Sequence, residues 1–235
     1  MTKSTASART KKPKKTDRTL LVFVLDRSGS MSVCLSSTIS GFNEFLLQQQ
    51  QENTDRAFMT LVKFNTDLAG GPSGVMLERT YTAAPIEAVA QLGTLENPYI
   101  PAGGTPLLDA VGTTIVATDA VASEYDHVLF VIQTDGEENS SREYTRDSLF
   151  KLVTERRAKG WDFVFMGADI DAYSAAQSMN IPVTNTMAYV SGASHAAFAS
   201  VSSSIASYRR SGGATKGALV DDWAPQVAKG GAKCG

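Results

Sequence analysis

The sequence predicts an α/β protein, a three-layer αβα sandwich around a mainly parallel central sheet with one antiparallel edge strand. Three observations point there. Short apolar runs rich in Val and Phe alternate with segments of helical period. Four of those runs are continuous, as strands covered on both faces require. A fifth, "VMLERTYT" (75–82), alternates apolar and polar residues, which suits a half-exposed edge strand.

Taken in order, "TLLVFVL" (19–25) reads as the first buried strand. In "STISGFNEFLLQQQQEN" (37–53) Ile39, Phe42, Phe45 and Leu46 recur at three- and four-residue intervals, giving an amphipathic helix. "AFMTLVKF" (57–64) is the second buried strand, and the edge strand follows. "TPLLDAVGTTIVATDAVAS" (105–123) predicts a helix with Thr105 at the N-cap and Pro106 as its first residue. "HVLFVIQT" (127–134) is the third buried strand. "TRDSLFKLVTERRAKG" (145–160) is a helix that stops on basic residues and a glycine. "WDFVFMG" (161–167) is the fourth buried strand. Helices are expected in "DIDAYSAAQSMN" (169–180) and in the serine-rich "ASHAAFASVSSSIASYRR" (193–210), with "PVTNTMAYV" (182–190) as the opposite edge strand. These elements form one domain over 19–210. Residues 1–18 read as a disordered basic arm and 211–235 as a Gly/Ala-rich tail, whose "LVDDWAPQV" island is expected to dock on the domain.

Charge is unevenly spread. Residues 1–18 hold seven basic groups and one acidic one, so of 22 basic and 24 acidic residues 15 and 23 remain for the body. An acidic body disfavours nucleic acid as the main partner, and the arm reads as a solvated tail. The arm has no apolar core of the secretory kind, and no stretch is long and apolar enough to span a bilayer. The two cysteines, Cys34 and Cys234, are far apart, which argues against a disulfide scaffold or a zinc site and for a reducing, cytoplasmic setting.

Ligand sites in open α/β sheets form where loops leave the carboxyl ends of strands. That rule selects Asp26, ending the first strand, with Ser28 and Ser30 beyond it in "DRSGSM". It also selects Asp135 in "TDGEEN" and Thr105 in "GGTPLLDA". Two carboxylates and three hydroxyls make an oxygen-only set suited to a hard cation, Mg²⁺ or Mn²⁺. Each residue alone has a plainer reading: Thr105 as a helix cap, Asp135-Gly136 as a turn. Glu137, Glu138 and Asp109 read as solvated or supporting groups, and Cys34 as a partly buried free thiol. Arg27 reads either as part of the rim or as a surface charge.

"DRSGSM", "GGTPLLDA" and "TDGEEN", in that order, resemble the von Willebrand factor A domain with its metal-ion-dependent adhesion site, D-x-S-x-S…T…D. The resemblance covers about 19–190. Within that superfamily the chain is most similar to bacterial and phage stand-alone domains of the TerY-like kind, through "GGTPLLDA" and "WDFVFMGADIDA". The likeness implies a Rossmann-like sheet, a metal held by Asp26, Ser28, Ser30, Thr105 and Asp135, and a protein-binding rather than catalytic role. It further implies a partner that offers an acidic side chain to the metal, with a MoxR-type AAA+ ATPase as one partner class.

Two other classes make specific demands on the residues. A phosphotransferase of the haloacid-dehalogenase type needs a second aspartate where Ser28 stands, and a serine hydrolase needs a histidine beside its nucleophile. The only histidines are His127, at the start of its strand, and His195. No enzyme is therefore expected. A nucleic-acid-associated protein working through the basic arm is the remaining alternative.

Overall fold

A computed structural model describes residues 17–52, 55–66 and 74–213. Residues 1–16 of the basic arm, and the tail from 214 with its apolar island and Cys234, lie outside the described residues. Six strands, β1 (Arg18–Asp26), β2 (Arg56–Thr66), β3 (Val75–Pro85), β4 (His127–Thr134), β5 (Asp162–Ala168) and β6 (Thr186–Tyr189), form one sheet. Its order is β3-β2-β1-β4-β5-β6. Every neighbouring pair is parallel except β2 with β3.

The alternation of side chains along β1 divides the core. Leu21, Phe23 and Leu25 join one cluster and Leu20, Val22 and Val24 the other, all fully buried. The first cluster is covered by α1 (Leu35–Gln51) and α5 (Ser194–Arg210). The second is covered by α2 (Leu107–Asp119), α3 (Arg146–Ala158) and α4 (Ala172–Ser178). Apolar residues on both faces of a central strand require two helical layers, and the chain supplies them. No described helix is long and apolar enough to cross a membrane.

The serine-rich helix α5 is held by packing rather than propensity. Gln49 Nε2 donates to Ser202 Oγ at 2.9 Å, and Phe198 lies over Phe23 with ring centres 6.2 Å apart. At its end the buried Arg209 guanidinium bonds Asp55 Oδ1 at 2.8 Å and the carbonyl of Gln49 at 2.7 Å.

Two expected boundaries shift. The expected strand over 182–190 is only four residues long. The Pro182 carbonyl accepts from Asn185 N at 2.9 Å and from Thr186 Oγ1 at 2.9 Å, which winds 183–185 into a 3₁₀ turn. The helix expected from Thr105 starts at Leu107, with Pro106 at its cap and no side-chain cap bond from its own segment. Its free N–H groups are met from elsewhere: Leu108 N donates to Glu138 Oε2 at 2.9 Å and Asp109 N to Ser141 Oγ at 3.0 Å.

Candidate metal site

Strands β1 and β4 are neighbours, with Leu25 opposite Gln133. The helices that follow them lie on opposite faces of the sheet, so their loops part and leave a crevice at the carboxyl edge. Asp26 closes the floor of that crevice and is 0% exposed. Its Oδ1 accepts from Ser28 N at 2.6 Å and its Oδ2 from Thr134 Oγ1 at 2.5 Å. A carboxylate that takes the N–H two residues on folds its own loop back, so Ser28 and Ser30 follow in a tight turn. Their Oγ atoms are 3.0 Å apart, and Ser30 Oγ donates to Asp135 Oδ1 at 2.7 Å.

Thr105 arrives on a third segment. Gly29 N donates to the Gly103 carbonyl at 2.9 Å and Ala102 N to the Arg27 carbonyl at 2.9 Å, which draws residues 102–105 against the serine turn. Thr105 is 2% exposed. A methyl group at Gly136 would lie 2.8 Å from Thr105 Oγ1 and 3.4 Å from Ser30 Oγ. The glycine therefore leaves open a space faced by both hydroxyls. The five residues selected from the sequence are thus brought together.

Electrostatics favour a cation in that space. Burial raises the Asp26 pKa to about 6, against the partial relief of its bonds from Thr134 and Ser28, and the nearby Asp135 charge adds to the rise. Burial also raises Asp135. Two desolvated carboxylates side by side are costly unless a positive charge joins them. Among the described residues no three His, Cys, Asp or Glu side chains cluster to hold a metal, so a cation here would need the three hydroxyls. Cys34, 3.8 Å from Asp135 Oδ2, is not a thiolate donor: burial pushes its pKa up to about 11.

Several neighbouring residues have roles the sequence did not disclose. Arg27 turns inward rather than to the rim, at 9% exposure. It pairs with Glu78 on β3 and donates to Asn65 Oδ1 at 3.1 Å. Glu78 Oε1 also meets Lys63 Nζ at 2.5 Å, and Lys63 donates to the Pro98 carbonyl at 2.5 Å. Asn65 Nδ2 donates to the Ala102 carbonyl at 2.8 Å. This network ties the serine turn and the segment leading to Thr105 to the same two strands. Asp109 is fully buried rather than solvated, and supports the loop after Glu138 by accepting the N–H groups of Arg142, Glu143 and Tyr144 at 2.7–2.9 Å. Glu138 accepts from Ser140 N and Ser141 N as well as from α2. No regular spacing could have revealed the long-range pairs among these, since Arg27 lies 51 positions from Glu78, Asp109 33 from Arg142 and Glu138 30 from Leu108. His127 begins β4 at the far end of the sheet, against the Tyr208 ring, and His195 pairs with Glu44.

No family model and no curated protein matches the sequence. Solved structures do. The pilus adhesin SpaC of Lactobacillus rhamnosus GG matches with a TM-score of 0.59 at 16% identity, covering 82% of this chain and 31% of the adhesin. The chain thus spans about a third of that protein. The von Willebrand factor domain of a type V pilus tip protein from Porphyromonas gingivalis matches with a TM-score of 0.57 at 10% identity, covering 82% of this chain and 96% of that domain. Proximal thread matrix protein 1 of the mussel byssus, solved with zinc in its metal-ion-dependent adhesion motif, matches with a TM-score of 0.54 at 13% identity, covering 78% and 45%. Six strands in a mostly parallel sheet, one antiparallel edge and helices on both faces, shared with these structures, give the chain the von Willebrand factor A fold.

Proposed function

We propose that the chain is a metal-dependent protein-interaction module, in which Asp26, Ser28, Ser30, Thr105 and Asp135 hold a divalent cation, Mg²⁺ or Mn²⁺. The observation that carries the reading is the convergence of these oxygen donors on the space left by Gly136. When bound, the cation supplies an electrophilic point for a carboxylate oxygen from a partner protein. The hydroxyls are neutral, so two aspartates at most balance the ion; with one of them bound through water, the ion stays electrophilic and can accept a further carboxylate. Asp26, buried and doubly bonded, shapes the serine turn, while Asp135 stands nearer solvent at the mouth.

A binding role is favoured over catalysis because neither histidine stands beside Ser28, where a nucleophile would need its base. The fold neighbours described as pilus adhesin and pilus tip protein are in keeping with a binding role. A MoxR-type ATPase as partner rests on the family resemblance alone, and a cytoplasmic setting on the cysteine usage alone.

The test has two stages. Calorimetric titration of the chelated full chain with Mn²⁺, Mg²⁺ and Zn²⁺ should give one site, lost in Asp26→Ala and Thr105→Ala variants that still fold. Partner proteins retained in Mg²⁺ should then be released by EDTA and absent from both variants. Retention that survives chelation and both substitutions would sink the proposal.

A further inference from the structure

Beside the candidate metal site lies a cleft of about 160 Å³, set between the start of α2 and the helix α4. Its less exposed lining is apolar: Leu107 and Met179 are buried, and Ile170 and Ala175 half-buried. Its charged lining is nearer solvent, with Glu137 and Asp171 exposed and Glu138 half-buried, against one exposed cation, Arg146. Gly136 also lines it. Because a methyl group on Gly136 would sit 2.8 Å from Thr105 Oγ1, the cleft and the metal site share a wall one residue thick.

We infer that this cleft receives a lysine or arginine side chain from the same partner segment that offers its carboxylate to the metal. The inference rests on the metal-dependent reading above and adds to it a second point of recognition. Size limits the occupant to one side chain, since an apolar cavity of about 150 Å³ holds a molecule the size of benzene. A less exposed apolar lining beside carboxylates nearer solvent matches the two halves of a long basic side chain, whose methylene stem buries while its charged head stays at the surface. An acidic occupant would face three like charges. A purely aliphatic occupant would leave the carboxylates without a counter-charge.

The acids are held in place as acceptors. The Glu138 carboxylate accepts from Leu108 N, Ser140 N, Ser141 N and Ser141 Oγ at 2.7–2.9 Å. Asp171 Oδ1 accepts from Ser174 N at 3.0 Å at the start of α4. Glu137 is exposed beside them. Residues in an extended segment are spaced about 3.3 Å apart, so an acid on the metal and a base in the adjoining cleft fall within a few positions of each other.

The experiment uses short peptides displayed on phage, each with one fixed aspartate and random flanks. They are panned on the full chain in Mg²⁺ and eluted with EDTA. Lysine or arginine should be enriched at one constant offset from the aspartate. Replacing that base by norleucine in a synthetic peptide should weaken binding about fivefold, the upper range for one partly exposed ion pair. Ala175→Phe, which fills the cleft, and Glu137→Gln, which thins the carboxylate charge without touching a hydrogen bond, should each erase the offset preference while elution still depends on EDTA. EDTA-eluted peptides without a basic preference, or a preference intact in both variants, would overturn the cleft assignment alone. If no peptide elutes with EDTA, the metal-dependent reading fails, and this inference with it.

Discussion

Thr105 Oγ1 lies 2.8 Å from the point where a side chain at position 136 would begin, so the hydroxyl and the missing methyl of Gly136 compete for one space. The glycine φ is not in the left-handed region, which leaves the clash as the main cost of a substitution there. Gly136→Ala should therefore fold and yet bind Mn²⁺ about tenfold more weakly or worse, as for changes that misplace a single ligand. Calorimetric titration beside the parent chain measures this. Unchanged affinity would mean that Thr105 does not face the cation.

Asp26 predicts how stability depends on pH in the absence of metal. Its folded pKa of about 6 lies above the ordinary 3.8. A carboxyl raised by folding stabilises the fold while protonated; that contribution is complete below the unfolded value and is lost as pH rises through about 6. A difference of this size corresponds to about 3 kcal/mol. Chelated protein should melt at a lower temperature at neutral pH than near pH 5, and Mg²⁺ should restore the loss at neutral pH. Asp26→Asn should flatten both responses. Thermal melts across that range, with and without EDTA, decide the matter.

Glu78 is the carboxylate shared by Arg27 and Lys63. Burial opposes its ionisation, yet the bond and charge of Lys63 and the charge of Arg27 pull its pKa below the ordinary value. Burial in turn lowers Lys63. Removing the acid strands two cations in the core, so Glu78→Ala should cost about 3 kcal/mol in urea denaturation. Adding Lys63→Met should recover part of that. Equal midpoints for the single and double variants would exclude stranded charge as the cause.

On the other face of the sheet, a methyl group at Gly41 of α1 would meet Phe198 Cδ2 at 2.5 Å. Gly41→Ala should lose about 1–3 kcal/mol through overpacking, less the gain in helix propensity. Metal affinity should stay at the parent value, which makes this variant the control for Gly136→Ala.

The strands and helices were legible because burial writes itself into local pattern. The two faces of "TLLVFVL" serve two helical layers, and β4 begins and ends where "HVLFVIQT" does. That Asp26, Ser28, Ser30, Thr105 and Asp135 meet at one edge was legible because strand ends and glycines flag where a sheet presents side chains. Arg27 was not, since an arginine between two polar residues looks solvated until Glu78, 51 positions away, is seen beside it. Asp109 and Glu138 stayed hidden for the same reason: each completes backbone donors about 30 positions distant. Thr105 was misplaced as a cap because the first turn of α2 takes its acceptors from the 138–141 loop.

The pairing of β1 with β4 has a kinetic consequence. Asp26 and Asp135 come together only once β4 has docked beside β1, with α1, β2, β3 and α2 lying between them in the chain. Such a long-range closure is a late and slow event. A cation held by these donors would find its full set only in the completed sheet, and would work as a lock on the finished fold rather than as a seed for it. Mg²⁺ should leave the refolding rate unchanged and slow unfolding alone. In stopped-flow traces only the unfolding limb would move, so that what the ion governs is how long an assembled domain lasts.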